Sequence, residues 1–124
     1  MKKILLIEDE PDIRALYKEY LVDRGYAVVE AVDGKSAIQK AESEEWDIML
    51  LDIILPGQDG IQVLKTIKSN NILRDKPVIA LTNLNIDSVL NEAFELGVDG
   101  FLIKSEITPD RIAGEVETVL QKYL

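Results

Sequence analysis

Five residues with polar or charged side chains stand at the ends of short apolar runs in this chain. Their functional groups are ones that could bind a cation or take part in phosphoryl chemistry. Carboxylates bind hard cations such as Mg²⁺ through oxygen, and a carboxylate can also act as a nucleophile that forms an aspartyl phosphate. A hydroxyl and an ammonium group opposite them can hold the oxygens of a transferred phosphoryl group. The five residues are Glu8 and Asp9 after the first run, Asp52 after the third, Thr82 after the fourth and Lys104 after the fifth.

Taken one at a time, these residues have more ordinary explanations. Asp9 precedes Pro11 and can cap a helix. Thr82 alone is most often a cap or turn residue, and Lys104 alone is most often a solvated surface residue. Taken together they favour a functional site, because the ends of four apolar runs carry a chemically compatible set.

The elements that must position these side chains follow from the hydrophobic pattern. Five short apolar runs alternate with segments of helical period, which predicts five βα units. Gly25 and Gly97 predict helix ends, and Thr108-Pro109 predicts the start of the last helix. The predicted strands are Ile4–Ile7, Tyr26–Ala31, Ile48–Leu51, Val78–Leu81 and Phe101–Ile103.

Continuous apolar strands predict a parallel sheet that helices cover on both faces, so the fold class is α/β and doubly wound. In the strand order 2-1-3-4-5, strands one and three are neighbours at the point where the order reverses, and ligands bind there. Strand two ends in Ala31-Val32 and is expected to contribute nothing. Clustered carboxylates repel one another, so a divalent cation is expected among Glu8, Asp9 and Asp52.

Composition narrows the chemistry further. The chain has 124 residues, 23 acids, 14 bases and a net charge of −9, which argues against nucleic-acid binding by this domain. It has no Cys and no His, which excludes disulfides, thiolate chemistry and His-ligated metals. A bound metal would therefore have oxygen ligands, which favours Mg²⁺, with Mn²⁺ or Ca²⁺ as substitutes.

One domain over residues 1–124 is expected, since no linker-like stretch interrupts the pattern. The apolar run of four residues after Met1-Lys2-Lys3 is too short for a signal peptide or a membrane span. We therefore expect a cytoplasmic protein with no membrane contact.

The chain resembles the receiver domain of two-component response regulators over essentially its whole length. The resemblance implies a flavodoxin-like three-layer sandwich with a (βα)5 sheet. The most specific segment surrounds Asp52. The four segments that carry the resemblance are Ile4–Asp9, Asp47–Gly60, Pro77–Thr82 and Gly97–Lys104.

The resemblance also implies a role for each residue of the metal site. Asp52 would be the phosphoacceptor and a metal ligand. Asp9 would bind Mg²⁺ directly, and Glu8 would act through a metal-bound water. The backbone carbonyl of Ile54 would be the third protein ligand.

Three further roles concern the switch. Thr82 would be the hydroxyl that moves toward the phosphoryl group, and Lys104 would bind a phosphoryl oxygen. Phe101 lies where the family carries an aromatic side chain that changes rotamer on activation, although simple packing at the edge of strand five is an open alternative. Phosphorylation would then remodel the face formed by helix four, strand five and helix five.

Partners follow from the same resemblance. The phosphodonor would be a phosphohistidine on a sensor histidine kinase or a histidine phosphotransfer protein, and the protein would be a switch rather than an enzyme. Output would pass to a separate effector protein or to an output domain beyond Leu124. A phosphorylation-dependent homodimer is left open.

Four positions depart from the family pattern or tune it. Ser105 replaces the usual proline after the lysine; a cis bond to a non-proline residue would cost about 2.5–4 kcal/mol, and the sequence leaves cis and trans open. Asn83 replaces a small residue and could narrow the entrance to Asp52 or bind the phosphoryl group; the alternative that it is simply a polar residue suited to a loop stays open. Ile54 and Leu84 stand where side chains of the family flank the water that attacks the phosphoryl group. Both are apolar and cannot orient that water by hydrogen bonding, which predicts slow self-dephosphorylation.

Three alternatives compete with this interpretation. A receiver-like interaction module that works without phosphorylation would keep the fold but not need the complete polar set. An aspartate-nucleophile phosphohydrolase would need an acid where Ile54 stands. A flavin-binding protein of the same topology would need a phosphate-binding loop, whereas Glu8-Asp9-Glu10 would repel phosphate.

Overall fold

The computed structural model describes residues 1–55, 59–83 and 87–123 of the chain. Strands and helices alternate throughout, as the hydrophobic pattern predicts. A short 3₁₀ turn, Lys104–Glu106, follows the last strand. In chain order the elements are β1 (Lys3–Ile7), α1 (Pro11–Asp23), β2 (Ala27–Ala31), α2 (Gly34–Ser43), β3 (Ile48–Asp52), α3 (Gly60–Ser69), β4 (Val78–Thr82), α4 (Asp87–Glu95), β5 (Gly100–Ile103) and α5 (Pro109–Gln121).

The five strands form one parallel sheet in the order β2-β1-β3-β4-β5, which confirms the predicted topology. Strand bounds differ slightly from prediction: β2 begins one residue later, and Asp52 and Thr82 are themselves the last residues of their strands. The register pairs Ile7 with Leu51, and Asp52 with Leu81. The carboxyl ends of the central strands are therefore level.

Helices cover both faces of the sheet, which gives the expected three layers. On one face, α2, α3 and α4 pack on the sheet, with Leu64 among the buried residues. On the other face, α1 and α5 pack on it through residues such as Leu21 and Val116. The residues of β3 and β4 are buried throughout because both sides of these strands are covered.

The helix ends show which capping predictions hold. Gly25 and Gly97 adopt positive φ values of +91° and +96° after α1 and α4, as expected for glycine beyond a helix. The Thr108 side chain accepts a hydrogen bond from the Arg111 N–H at 3.1 Å and caps α5. The N-cap of α1 is Glu10, without a side-chain cap, so the alternative that Asp9 caps this helix is wrong.

Leu16, Phe94 and Tyr123 recur at the helical spacing of the apolar residues around them, which predicts that they face the core, but all three are exposed. Leu16 is 42 % exposed, Phe94 47 % and Tyr123 48 %. The period identifies the face of a helix but not how far the neighbouring elements extend over it. In the described part of the chain, no helix is long and apolar enough to cross a membrane.

Candidate functional site

The carboxylates of the first and third strands meet at the carboxyl edge of the sheet. Glu8 directly follows β1, Asp9 comes next, and Asp52 ends β3. One carboxylate oxygen from each of these three residues lies within 4.8 Å of the other two. Glu8 is fully buried and Asp52 is 4 % exposed, so the negative charges are held in a poorly solvated place.

Lys104 lies between two of these acids. Its Nζ is 2.7 Å from Glu8 Oε2 and donates a hydrogen bond to Asp52 Oδ2 at 3.0 Å. Burial is the largest influence on the pKa of Lys104 and lowers it, but the close carboxylates of Glu8 and Asp52 together outweigh burial and raise the pKa above its usual value. Lys104 is therefore a permanent cation at the centre of the site.

Glu8 carries an incompletely bonded oxygen. Burial raises the pKa of Glu8 and the charge of Asp52 adds to the effect, whereas Lys104 and the Glu10 backbone N–H lower it. Glu8 Oε1 accepts a hydrogen bond from the Glu10 N–H at 3.2 Å. Within the described residues, Oε2 is buried and has no well-directed hydrogen bond, although the Lys104 ammonium is close.

The donor set therefore fits a hard divalent cation. Every side-chain donor is a carboxylate, and Mg²⁺ typically binds through one or two carboxylates together with waters and phosphate oxygens. A cation would also offset the burial and the nearby Asp52 charge, which raise the pKa of Glu8, and would give its buried Oε2 a second partner beside Lys104, directly or through a water.

The segment after β3 is fixed by local contacts. Asp52 Oδ1 accepts a hydrogen bond from the Ile54 N–H at 3.0 Å, and the Gly60 N–H donates to the Ile53 carbonyl at 2.7 Å. A Cβ on Gly60 would lie 2.4 Å from the Asp52 carbonyl oxygen and 2.5 Å from Ile53 Cα. Only glycine lets the first turn of α3 pack this closely on the segment that carries Asp52.

A cavity of about 160 Å³ opens above Asp52. Ile54 is 57 % exposed at this cavity, and Asn83 is exposed beside it. Thr82 is buried at the end of β4, and its register partner Ile103 immediately precedes the lysine. The residues that line the cavity are Asp9, Glu10, Asp52, Ile54, Asn83 and Lys104.

Of the remaining predicted residues, the structure describes Phe101 and Ser105, and neither lines this cavity. Phe101 is 37 % exposed and makes an edge-to-face contact with Phe94 at 5.9 Å between ring centroids. Ser105 is exposed in the 3₁₀ turn, and the Lys104–Ser105 bond is trans, since the described residues contain no cis peptide. Leu84 lies outside the described residues.

The sequence interpretation gave no role in the site to two residues at the start of α1, its N-cap Glu10 and Arg14 within it. Glu10 lines the cavity, and Arg14 donates a hydrogen bond from Nη1 to the Glu8 carbonyl at 2.9 Å. Arg14 also pairs with Glu30 of β2, so the expectation that strand two contributes nothing overlooked the residue just before its end. The spacing of four between Glu10, Arg14 and Lys18 was the available signal, since it places them on one helix face.

Comparison with known proteins gives consistent results. The family model described as the response regulator receiver domain matches residues 4–117. Over 120 residues the chain is 34% identical to the transcriptional regulatory protein ResD of Bacillus subtilis, covering 97% of this chain and 48% of that protein. Over 123 residues it is 36% identical to the alkaline phosphatase synthesis transcriptional regulatory protein PhoP of the same organism, covering 98% and 49%.

Among solved structures, the chemotaxis protein CheY4 of Vibrio cholerae is similar to this fold. The TM-score is 0.90 at 27% sequence identity, with 96% of this chain and 98% of that chain covered. The chain spans about half the length of the two curated relatives but nearly all of this structural neighbour.

Proposed function

The chain belongs to the response regulator receiver family, and from that premise we propose that it accepts a phosphoryl group on Asp52. The phosphodonor would be a phosphohistidine of a sensor histidine kinase or of a histidine phosphotransfer protein. The observation that carries this proposal is the pairing of buried Asp52 with Lys104 beside two further carboxylates.

Mg²⁺ would be held by Asp9, Asp52 and the backbone carbonyl of Ile54, with Glu8 acting through a water; Mn²⁺ or Ca²⁺ could substitute. When bound, the ion would neutralise the carboxylates and the oxygens of the phosphoryl group. The all-carboxylate donor set and the incompletely bonded Glu8 Oε2 support this assignment.

The transfer is a displacement at phosphorus. An oxygen of Asp52 forms the new P–O bond while the P–N bond to the donor imidazole breaks, and the imidazole nitrogen leaves with the electron pair. Lys104 and Thr82 stabilise the charge on the phosphoryl oxygens. Asp52 is modified stoichiometrically, so the protein acts as a switch that assists its own phosphorylation rather than as an enzyme.

Output would use the face formed by α4, β5 and α5. Movement of Thr82 toward the phosphoryl group would free space at the end of β4. A rotamer change of Phe101 would then carry this change from the site to the face formed by α4, β5 and α5. The edge-to-face contact with Phe94 supports this coupling, because Phe101 cannot turn without changing the surface of α4.

The names of the relatives indicate only the general kind of output that this domain could control. Two of them are named transcriptional regulators, and this chain matches about half of each. We propose that phosphorylation of this domain controls an output domain or a separate effector protein in the cytoplasm. A phosphorylation-dependent homodimer would be one form of that control.

The test is phosphorylation by acetyl phosphate, followed by intact mass. We expect the wild-type protein to gain one phosphoryl group with Mg²⁺ and none with a chelator. Asp52→Asn should gain none, whereas Asp59→Asn should behave as wild type, because asparagine also caps α3 well. A wild-type protein that gains no phosphoryl group would favour the phosphorylation-independent interaction module instead.

Trp46 is a poor reporter for this experiment. It is buried just before β3, whereas Asp52 ends that strand. Six residues of extended chain separate the two by roughly 20 Å. Mass or NMR measurements are therefore preferable to tryptophan fluorescence.

A further inference from the structure

Arg14 makes two contacts that tie the start of α1 to the ends of two strands. Its Nη1 donates a hydrogen bond to the Glu8 carbonyl at 2.9 Å, and its Nε donates to Glu30 Oε1 at 3.3 Å. The Arg14 side chain is only 17% exposed. A guanidinium group can make both contacts at once because its donors form a rigid planar fork.

The backbone that Arg14 contacts directly follows β1 and carries the first two acids of the site. The Glu8 N–H donates to the Ala31 carbonyl at 3.1 Å, which joins the end of β1 to the end of β2. The Arg14 bond fixes the other polar group of the same residue, its carbonyl. That carbonyl belongs to the peptide that joins Glu8 to Asp9, so a change in its orientation would move both carboxylates.

Lys18 provides the comparison that separates this role from simple charge pairing. It lies one turn further along α1 and pairs with the other oxygen of Glu30, Oε2, at 3.2 Å. Its side chain is 45% exposed, and none of its contacts in the described residues reaches Glu8. An exposed pair of this kind contributes little, whereas a bond to a buried backbone carbonyl constrains geometry.

We propose that Arg14 is a positioning residue for the metal site: anchored on Glu30, it fixes the peptide from which Glu8 and Asp9 present their carboxylates. Arg14 does not touch the metal or the phosphoryl group. This inference rests on the proposed Mg²⁺-dependent function. It adds a residue on α1 and one on β2 to the groups that determine metal affinity.

The test is calorimetric titration of the protein with Mg²⁺ at constant ionic strength. Arg14→Lys keeps the charge but loses the planar fork, so any change reports geometry rather than the electric field at the site. We expect its dissociation constant to rise about tenfold, the lower end of the loss seen when groups behind metal ligands are altered. Lys18→Arg is the matched control and should bind as wild type.

A second measurement is independent of the metal. In the metal-free protein, the carbonyl ¹³C resonance of Glu8 should shift in Arg14→Lys and stay in place in Lys18→Arg. A purely structural role would lower the melting temperature of Arg14→Lys and leave the Mg²⁺ affinity of the folded variant unchanged. Glu30→Asp keeps the charge but shortens the anchor, and it should also weaken Mg²⁺ binding; it decides the question if Arg14→Lys does not fold.

The outcomes separate the two proposals. If the wild-type protein binds no Mg²⁺, the proposed function fails and this inference fails with it. If the wild type binds Mg²⁺ and the folded Arg14→Lys or Glu30→Asp variant binds it equally well, the positioning role is overturned while the proposed function stands.

Discussion

Both carboxylate oxygens of Asp52 are already engaged, and this shapes its chemistry. Oδ1 accepts from the Ile54 N–H and Oδ2 accepts from Lys104. The backbone bond orients the side chain, whereas the ammonium group can shift to an oxygen of the incoming phosphoryl group. Phosphorylation would therefore exchange one ion pair of Lys104 for another, which keeps its buried charge compensated.

The Ile54 side chain gives a prediction at the same scale. It is 57 % exposed at the cavity above Asp52 and cannot orient a water molecule by hydrogen bonding. Ile54→Asn should therefore accelerate loss of the phosphoryl group roughly tenfold, about 1.4 kcal/mol in activation free energy. The measurement is the decay of phosphoprotein by intact mass after removal of the donor.

Ile72→Asn is the control for that change, because Ile72 is 83% exposed and does not line the cavity above Asp52. Its decay rate should equal that of the wild type. A wild-type half-life of only seconds, or an unchanged rate in Ile54→Asn, would refute the view that an apolar side chain slows the hydrolysis.

At the scale of elements, the close packing of α3 on the end of β3 depends on Gly60. Its first turn leaves no room for a Cβ, since the nearest atoms belong to the backbone of Asp52 and Ile53 and cannot turn aside. Gly60→Ala should therefore destabilise the protein by about 1–3 kcal/mol and weaken Mg²⁺ binding. Urea unfolding and metal titration measure the two effects.

Gly114→Ala is the matched control within α5. A Cβ there meets nothing within 4 Å, and alanine is the better helix former, so this variant should be more stable by roughly 0.5–1 kcal/mol. Metal binding should be unaffected. Equal metal affinity in a folded Gly60→Ala variant would show that the close approach has no consequence for the site.

Tyr123 ties the end of α5 to the start of β4. Its hydroxyl donates to Asp99 Oδ1, and Asp99 Oδ2 accepts from the Val78 N–H at 2.9 Å. Burial, followed by the hydrogen bond to Asp99, raises the pKa of Tyr123 to about 12. The protonated hydroxyl therefore stabilises the fold fully below pH 10, and this contribution is lost as the pH rises through about 12.

Tyr123→Phe removes this hydrogen bond. At pH 8 the variant should be less stable than wild type by about 0.5–1 kcal/mol, and the difference should vanish above pH 12. Comparison of the two proteins at each pH by urea unfolding cancels the effects of the other tyrosines. A difference that stays constant up to pH 12 would show that the hydroxyl is not the group responsible.

For the whole molecule, the crowding of three carboxylates on a chain with a net charge of −9 predicts metal-dependent stability. A ligand that binds only the folded state at a hundred times its dissociation constant adds about 2.7 kcal/mol. Mg²⁺ should do so at constant ionic strength, as measured by urea unfolding. Asp9→Asn should lose most of this Mg²⁺-dependent stabilisation, whereas Asp23→Asn, a change at an exposed acid of α1, should keep it. Equal loss in the two variants would show that Mg²⁺ only screens the net charge.

Much of this molecule is predictable from sequence because four of the five apolar strands end at or directly before a polar or charged side chain. Given the strand order 2-1-3-4-5, the meeting of Glu8 with Asp52 follows from the sequence, because both acids stand at the ends of neighbouring strands. The contact of Gly60 with the β3 backbone does not, since it depends on how closely a loop folds back. The hydrogen bond from Arg14 to the Glu8 carbonyl could not be predicted either, because no pattern of side chains in a sequence identifies which backbone carbonyl will accept a bond.

Identifying the acid that carries the phosphoryl group is the most direct test of the proposed function. Borohydride reduces an aspartyl phosphate to homoserine, which peptide mass spectrometry can locate after treatment of the protein with acetyl phosphate and Mg²⁺. We expect homoserine at position 52 and none when a chelator replaces Mg²⁺. Homoserine at another acid, or no homoserine in folded wild-type protein, would contradict it.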